Sequence, residues 1–170
     1  MDDFMEVVQY FQNPLLKFSH YNCRYSSIDP EDAVQETFVR LHKTLKKGEC
    51  KITNAKTWLF TTLRNFLIDE SRKIKHRKNY RENQINAEAK MTTDNDVLED
   101  IIKEEAKQKA IYHLNKLDDL EKQIIQLKAI QNLKLREVAE IMDLSIGKVS
   151  YLLNKGLKSI GDNLNKDGIV

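Results

Sequence analysis

Residues that break helices are scarce along this chain, and that scarcity narrows its possible folds more than any other feature. Five Gly and two Pro are spread over 170 residues. That is too few to supply the turns of a β-rich fold, where each reversal draws on Gly, Pro or Asn. Helix-compatible Leu, Ile, Lys, Glu, Gln and Ala fill the intervals, and the apolar residues recur with a helical period. The predicted fold class is all-α. The length suits one ordinary domain or two small ones.

The apolar period fails in the interior. Residues 86–96, NAEAKMTTDND, hold little that could be buried, so they read as a linker. Two helical domains are expected, 1–81 and 97–170, joined by a flexible acidic linker at 82–96. Charge changes sign across this boundary. Residues 51–81 carry nine Lys and Arg against Asp69 and Glu70, a local charge near +7 in a chain of net +2. Residues 82–110 carry eight acids against four Lys. A basic concentration of this size creates a field suited to phosphate.

In the first half, Phe4, Val7, Val8, Phe11, Leu15, Leu16 and Phe18 mark a helix that Pro14 should kink or split. Asp29-Pro30-Glu31-Asp32 starts a second helix, with an N-cap Asp, Pro in the first position and acids in the first turn. Ala33, Val34, Thr37, Phe38, Leu41 and Leu45 form its buried face, and Asp32, Gln35, Glu36, Val39 and His42 lie mostly outside it. Gly48 closes it. A third helix follows, capped by Thr53 or Asn54 and fading near Lys78 or Asn79. It carries Trp58, Leu59 and Phe60, then Arg64, Asn65, Asp69 and Arg72, then a basic run. Asp69 beside Arg72 and Lys73 reads as a helical ion pair rather than a catalytic carboxylate. At helical spacing with Leu59 and Leu63, Trp58 reads as core more readily than as a base-stacking surface.

In the second half, Val97, Leu98, Ile101, Ile102, Ala106, Ala110, Ile111 and Leu114 predict one helix. Leu117, Leu120, Ile124, Ile125 and Leu127 predict another, broken at Gln131-Asn132. Residues 135–142 then form a short helix, Asp143-Leu144-Ser145 a tight turn, and residues 146–164 a last helix. This is the layout of a helix-turn-helix. Ala139 is small where the two helices must approach. Asp143 tolerates a positive φ, and Val138, Ile141, Leu144, Val149 and Leu152 are apolar anchors. Its second helix would enter a major groove, with Arg136, Ser145, Lys148, Ser150, Tyr151, Asn154, Lys155 and Lys158 as readers and phosphate contacts. The plainer alternative is a helical hairpin that packs and reads nothing.

Enzymatic readings find little support, and no catalytic residue or cofactor is assigned. There is no phosphate loop and no GxGxxG, and Lys155-Gly156-Leu157-Lys158-Ser159 lacks the required spacing. His20, Cys23, His42 and Cys50 offer four zinc-ligand types, but only His20 and Cys23 have usable spacing. Scattered His and buried Cys are expected instead, with no metal. The two Cys read as reduced thiols. The acidic start and the lack of a long apolar run argue against a signal peptide or a membrane span. A cytoplasmic protein is expected.

Taken in order, Phe11-x-x-Pro14-Leu15-Leu16, Asp29-Pro30-Glu31-Asp32-Ala33-Val34-Gln35-Glu36-Thr37-Phe38, Thr57-Trp58-Leu59-Phe60 and Arg64-Asn65-x-x-x-Asp69-x-x-Arg72 resemble the first domain of bacterial sigma factors. Residues 117–160 are similar to the C-terminal domain of the same proteins. The short two-domain chain resembles the extracytoplasmic-function group of the sigma-70 family. The resemblance implies that Asp32, Gln35, Glu36 and Val39 dock on the clamp helices of core RNA polymerase. It implies that Lys51, Asn54, Trp58, Arg64, Asn65, Asp69, Arg72, Lys73, Lys75, Arg77 and Lys78 read and melt a −10 element, and that the helix-turn-helix reads a −35 element. An anti-sigma factor is the implied regulator, with a chain monomeric when free or 1:1 with that regulator. The sequence departs from the family pattern at Asp143, where Gly is usual, and at Tyr151, Asn154 and Lys155, where Arg is more common. A stand-alone helix-turn-helix regulator, or a degenerate sigma-like interaction partner, are the alternatives.

Overall fold

The computed structural model describes residues 2–23, 27–48, 54–79 and 99–168, and these are helical throughout apart from turns. The chain divides into two compact units, Met1–Glu88 and Ala89–Val170. The 82–96 segment expected as the linker lies outside the described residues, as do Val97 and Leu98.

The first unit is a bundle of α1 (Asp2–Cys23), α2 (Pro30–Lys47) and α3 (Ala55–Asn79), each packed on the other two. Its core stacks Leu15 and Phe18 from α1, Ala33, Val34, Phe38 and Leu41 from α2, and Leu59, Phe60, Leu63 and Leu67 from α3. Phe18 meets Phe60 edge to face at 5.6 Å between ring centroids. Pro14 does not split α1, which continues as one helix. The missing N–H is tolerated because Leu15 and Phe18, just past it, are both buried and hold the second half in place. The start of α2 forms as its residues dictate. Asp29 Oδ1 accepts from the amides of Glu31 at 2.7 Å and Asp32 at 3.2 Å. Gly48 ends the helix at φ 64°, a left-handed position that glycine adopts without strain. Asn54 Oδ1 caps α3 through the amide of Thr57.

The second unit is α4 (Glu99–Asn115), α5 (Asp119–Ile125), α6 (Leu135–Met142) and α7 (Ile146–Lys166), with α7 packed against the other three. The helix predicted through Leu127 is not uniform. After Ile125 it widens into a π-helical turn, Gln126–Ile130, and Gln131 donates back to the Gln126 carbonyl at 3.0 Å. Asn132 then takes a left-handed φ of 52°. The Leu133 amide returns to the Leu127 carbonyl, and its side chain is fully buried. This polar αL residue followed by an apolar anchor is a common way to end a helix. Asp143 repeats the device after α6, at φ 53°, with the Leu144 amide on the Ala139 carbonyl. Where α5 meets α7, Gly156 is the contact point. A β-carbon there would stand 2.7 Å from Ile125 Cδ1 and 3.3 Å from Leu117 Cδ1, so any side chain at 156 would force these neighbours to shift.

Candidate nucleic-acid interface

The third helix has two faces. Leu59, Phe60, Leu63 and Leu67 point into the bundle. Trp58, Asn65, Asp69, Arg72 and His76, at intervals of seven, four, three and four, lie along the opposite stripe. Arg64 and Lys75 flank this stripe on one side and Lys73 on the other. Trp58 is half-buried on the outer stripe, not enclosed with its neighbours Leu59 and Phe60. The core position suggested by its spacing to Leu59 and Leu63 is not adopted, because those two lie a quarter-turn and more around the helix. Asn65 is exposed and Arg64 half-buried. Arg72 is 74% exposed and lies 3.9 Å from Asp69, while Lys73 binds Glu70 at 2.6 Å. Asp69 thus faces Arg72 as its helical spacing suggested, whereas Lys73, also expected beside Asp69, pairs with Glu70 instead. Lys75 is exposed. Asn54 has a structural duty as the cap of α3. His76 is absent from the set expected from sequence, yet it stands exposed one turn beyond Arg72. The four-residue step from Arg72 is its only signal. Lys51, Cys50 and the side chains of Arg77 and Lys78 lie outside the described residues.

On α2, Asp32, Gln35 and Val39 are exposed and Glu36 is half-buried, all on the face turned away from the core. Glu36 accepts a 2.8 Å bond from Arg40, whose guanidinium lies 5.3 Å from the Phe66 ring centroid. Beside this face runs a cavity of about 250 Å³ floored by Val8, Leu16, Val34 and Phe38 and edged by Gln12, Glu31 and Gln35.

In the second unit, α6, Asp143 and α7 form the expected helix-turn-helix. Val138, Ala139, Ile141, Met142, Val149, Leu152 and Leu153 are buried, and Leu144 is half-buried. Ser145 Oγ accepts from the Lys148 amide at 3.2 Å and starts α7. Glu137 reaches back to the Lys134 amide at 2.7 Å and fixes the start of α6. Arg136, Ser145, Lys148, Tyr151, Asn154 and Lys158 are exposed. Two expected readers differ. Ser150 is only half-exposed, because it borders the buried Val149 and Leu153 side. Lys155 is tied to Glu121, a buried carboxylate of α5, at 2.5 Å. That bond raises the Lys155 pKa through the hydrogen bond first and the opposite charge second. Lys155 therefore braces α7 against α5 and is the least available cation of the set.

Acids in a helix's first turn favour its dipole but repel phosphate. The first turns of α2, α5 and α6 carry acids, and those of α3 and α7 carry none. Of these five helices, the two expected to read nucleic acid are the ones with acid-free leading ends.

Among the described residues, no group of three or more His, Cys, Asp or Glu could hold a metal ion. Cys23 is buried beside Ser19, His20 is exposed, and His42 rests on Phe4 at 5.3 Å. No described helix is long and apolar enough to cross a membrane.

Residues 7–77 match the family model of Sigma-70 region 2, and residues 113–160 match that of Sigma-70, region 4. The ECF RNA polymerase sigma factor SigW of Bacillus subtilis (strain 168) is 23% identical over 170 residues, covering 96% of this chain and 89% of SigW. Among solved structures, the sigma factor RpoE from Bartonella quintana, crystallised with the anti-sigma factor NepR, superposes with a TM-score of 0.78. Its identity is 20%, with 97% of this chain and 98% of that one covered. CnrH, in complex with the cytosolic domain of CnrY, gives a TM-score of 0.65 at 19% identity, covering 96% and 88% of the two chains. These two structures share the fold of this chain.

Proposed function

Because the chain belongs to the sigma-70 family, with regions 2 and 4 in the two-domain layout of its extracytoplasmic-function group, we propose that it is an alternative sigma factor that binds core RNA polymerase and selects promoters. In this reading, residues 1–81 dock on polymerase and melt the −10 element, 82–96 connect the domains, and 97–170 read the −35 element.

The observation that carries the reading is the outer stripe of α3. Opening a duplex requires a base to leave the stack, which costs a few kcal/mol and needs a surface to receive it. Trp58 supplies an aromatic surface at one end of the stripe, Asn65 an amide that both donates and accepts, and Arg72 with Lys75 cations for the neighbouring phosphates. Lys73 is drawn toward Glu70 and contributes less. Lys51, Asn54, Arg64, Asp69, Arg77 and Lys78 complete the −10 set implied by the family. On α2, Asp32, Gln35, Glu36 and Val39 offer polymerase a mixed acidic, amide and apolar surface free of obligations to the fold's core. Arg136, Ser145, Lys148, Ser150, Tyr151, Asn154, Lys155 and Lys158 form the −35 set. The anti-sigma factor crystallised with RpoE, a protein of this fold, supports regulation of this chain by an anti-sigma factor; in this reading the chain is monomeric when free or 1:1 with that regulator.

The test is retention of fragments from a genomic DNA pool by the chain alone and with sigma-free core polymerase. A sigma factor retains few fragments alone and a defined set with core. Tight retention by the free chain, unchanged by core, would establish a stand-alone regulator instead.

A further inference from the structure

Ile146 opens α7 with 47% of its surface exposed, at a position where helix chemistry favours other residues. A first turn gains from acids, from Pro or from short polar side chains, and a β-branched aliphatic brings neither a cap nor a charge. The next residue, Gly147, is exposed as well. A β-carbon there would meet no atom within 4 Å, and its φ is not left-handed. Alanine would serve the helix better, so nothing inside the unit asks for glycine. Gly156 is the contrast, since Ile125 occupies the space its side chain would need. Gly161 is as unconfined as Gly147 but lies near the far end of α7. The bareness of Gly147 gains its meaning from the exposed Ile146 beside it, on the end of the helix that leads into a groove.

Two i,i+4 pairs share this leading end, Ile146 with Ser150 and Gly147 with Tyr151, which is 61% exposed. The result is a small surface with a branched aliphatic group, a gap, a hydroxyl and an aromatic ring. The Lys148 ammonium stands to one side, 5.6 Å from the Tyr151 ring centroid. Of the groups that base pairs present in the major groove, only the thymine 5-methyl is apolar; the rest are hydrogen-bond donors and acceptors. Against donors and acceptors Ile146 would be a loss, because it covers polar atoms without replacing their bonds to water.

We propose that Ile146 is a specificity-determining residue, packing on the 5-methyl group of a thymine in the major groove, and that Gly147 leaves the helix bare there so that its backbone approaches the base edges. This deepens, and rests on, the reading of α6 and α7 as the −35 reader. It adds a base preference that the exposed polar residues of α7 do not supply.

The experiment uses the full chain assembled with core polymerase. Upstream duplexes are selected from a randomised pool, and each thymine in the recovered sequence is replaced by uracil, which removes the methyl and keeps the base pair. One replacement should weaken binding about fourfold, the loss of one buried methyl group. The Ile146→Ala holoenzyme should bind the thymine and uracil forms equally. The Gly147→Ala holoenzyme should bind every selected duplex less well while the free variant's thermal midpoint stays level or rises, which separates a blocked approach from a folding defect. Uracil silent at every position, or an equal uracil penalty with Ile146→Ala, overturns the thymine contact. Undiminished binding by Gly147→Ala overturns the role of the glycine. If the wild-type holoenzyme recovers no recurring upstream sequence, the reader role itself falls and this contact with it.

Discussion

Replacing Arg72 and Lys75 with Ala should weaken promoter opening while leaving polymerase binding and folding almost untouched. Arg72 is 74% exposed and its ion-pair neighbour among the described residues, Asp69, is 3.9 Å away and itself exposed. A surface pair of that kind contributes about 0–1 kcal/mol, and Lys75 is exposed. Unfolding should therefore shift by no more than about 1 kcal/mol. The effect on DNA follows from counterion release. Each phosphate neutralised on a single strand contributes about 0.7 to the slope of log affinity against log salt, so the pair contributes about 1.4. Over a fourfold rise in salt, wild type should lose about sevenfold more affinity for the opened strand than the variant does. The assay is the signal of a fluorescent base analogue in the −10 region, followed across salt with holoenzyme at saturation, beside a competition titration for core. A salt slope equal to wild type would refute phosphate contact by these residues. Parallel loss of core affinity would refute the division of labour between α2 and α3.

Gln35→Ala with Glu36→Ala should give the reverse pattern: weaker competition for core, but normal opening once core is saturated; unchanged core affinity would sink the docking role of α2. Phe18→Ala removes a fully buried ring and its edge contact with Phe60, so urea unfolding of the first unit should lose about 3–5 kcal/mol. Asp143→Gly should be neutral or stabilising by chemical denaturation, because φ is 53° there, whereas Asp143→Val should destabilise the second unit through a β-branched residue in the left-handed region. The His113 ring bonds Asp167 at 2.8 Å and, through that hydrogen bond first, holds its carboxyl below the ordinary range. A depressed carboxylate adds stability that is present above its unfolded pKa and lost as pH falls through the folded value. The second unit of Asp167→Asn should thus unfold with a shallower acid dependence below about pH 4 than wild type, as followed by circular dichroism.

Local chemistry is legible in the sequence where one short stretch decides the outcome. Asp29-Pro30 starts α2 through a cap that needs only the next three residues. Asp143 turns left-handed between two apolar runs, and Ser145 caps the helix after it. The polar stripe of Asn65, Asp69 and Arg72 comes from helical spacing alone, whereas Trp58, whose spacing to Leu59 and Leu63 suggests the core, lies half-buried on that same stripe. Features that depend on distant partners are not legible. Glu121 and Lys155 are 34 residues apart and His113 and Asp167 are 54 apart, and no local pattern pairs them. By its neighbours alone Gly156 resembles a fragment of a phosphate loop, and only α5 packed against it gives its reason. The π-helical turn after Ile125 leaves no compositional mark, since its residues suit an ordinary helix equally well. Pro14 misleads for a related reason: the local cost of proline is real, and the burial of Leu15 and Phe18 beyond it outweighs that cost.

Run-off transcription decides whether the chain initiates transcription. Sigma-free bacterial core polymerase is supplied with this chain and a pool of genomic fragments. A sigma factor yields discrete transcripts that vanish when the chain is omitted, and whose start points share an upstream and a −10 sequence. Absence of any chain-dependent transcript, with the chain shifting duplex DNA on its own and not comigrating with core, would contradict that role.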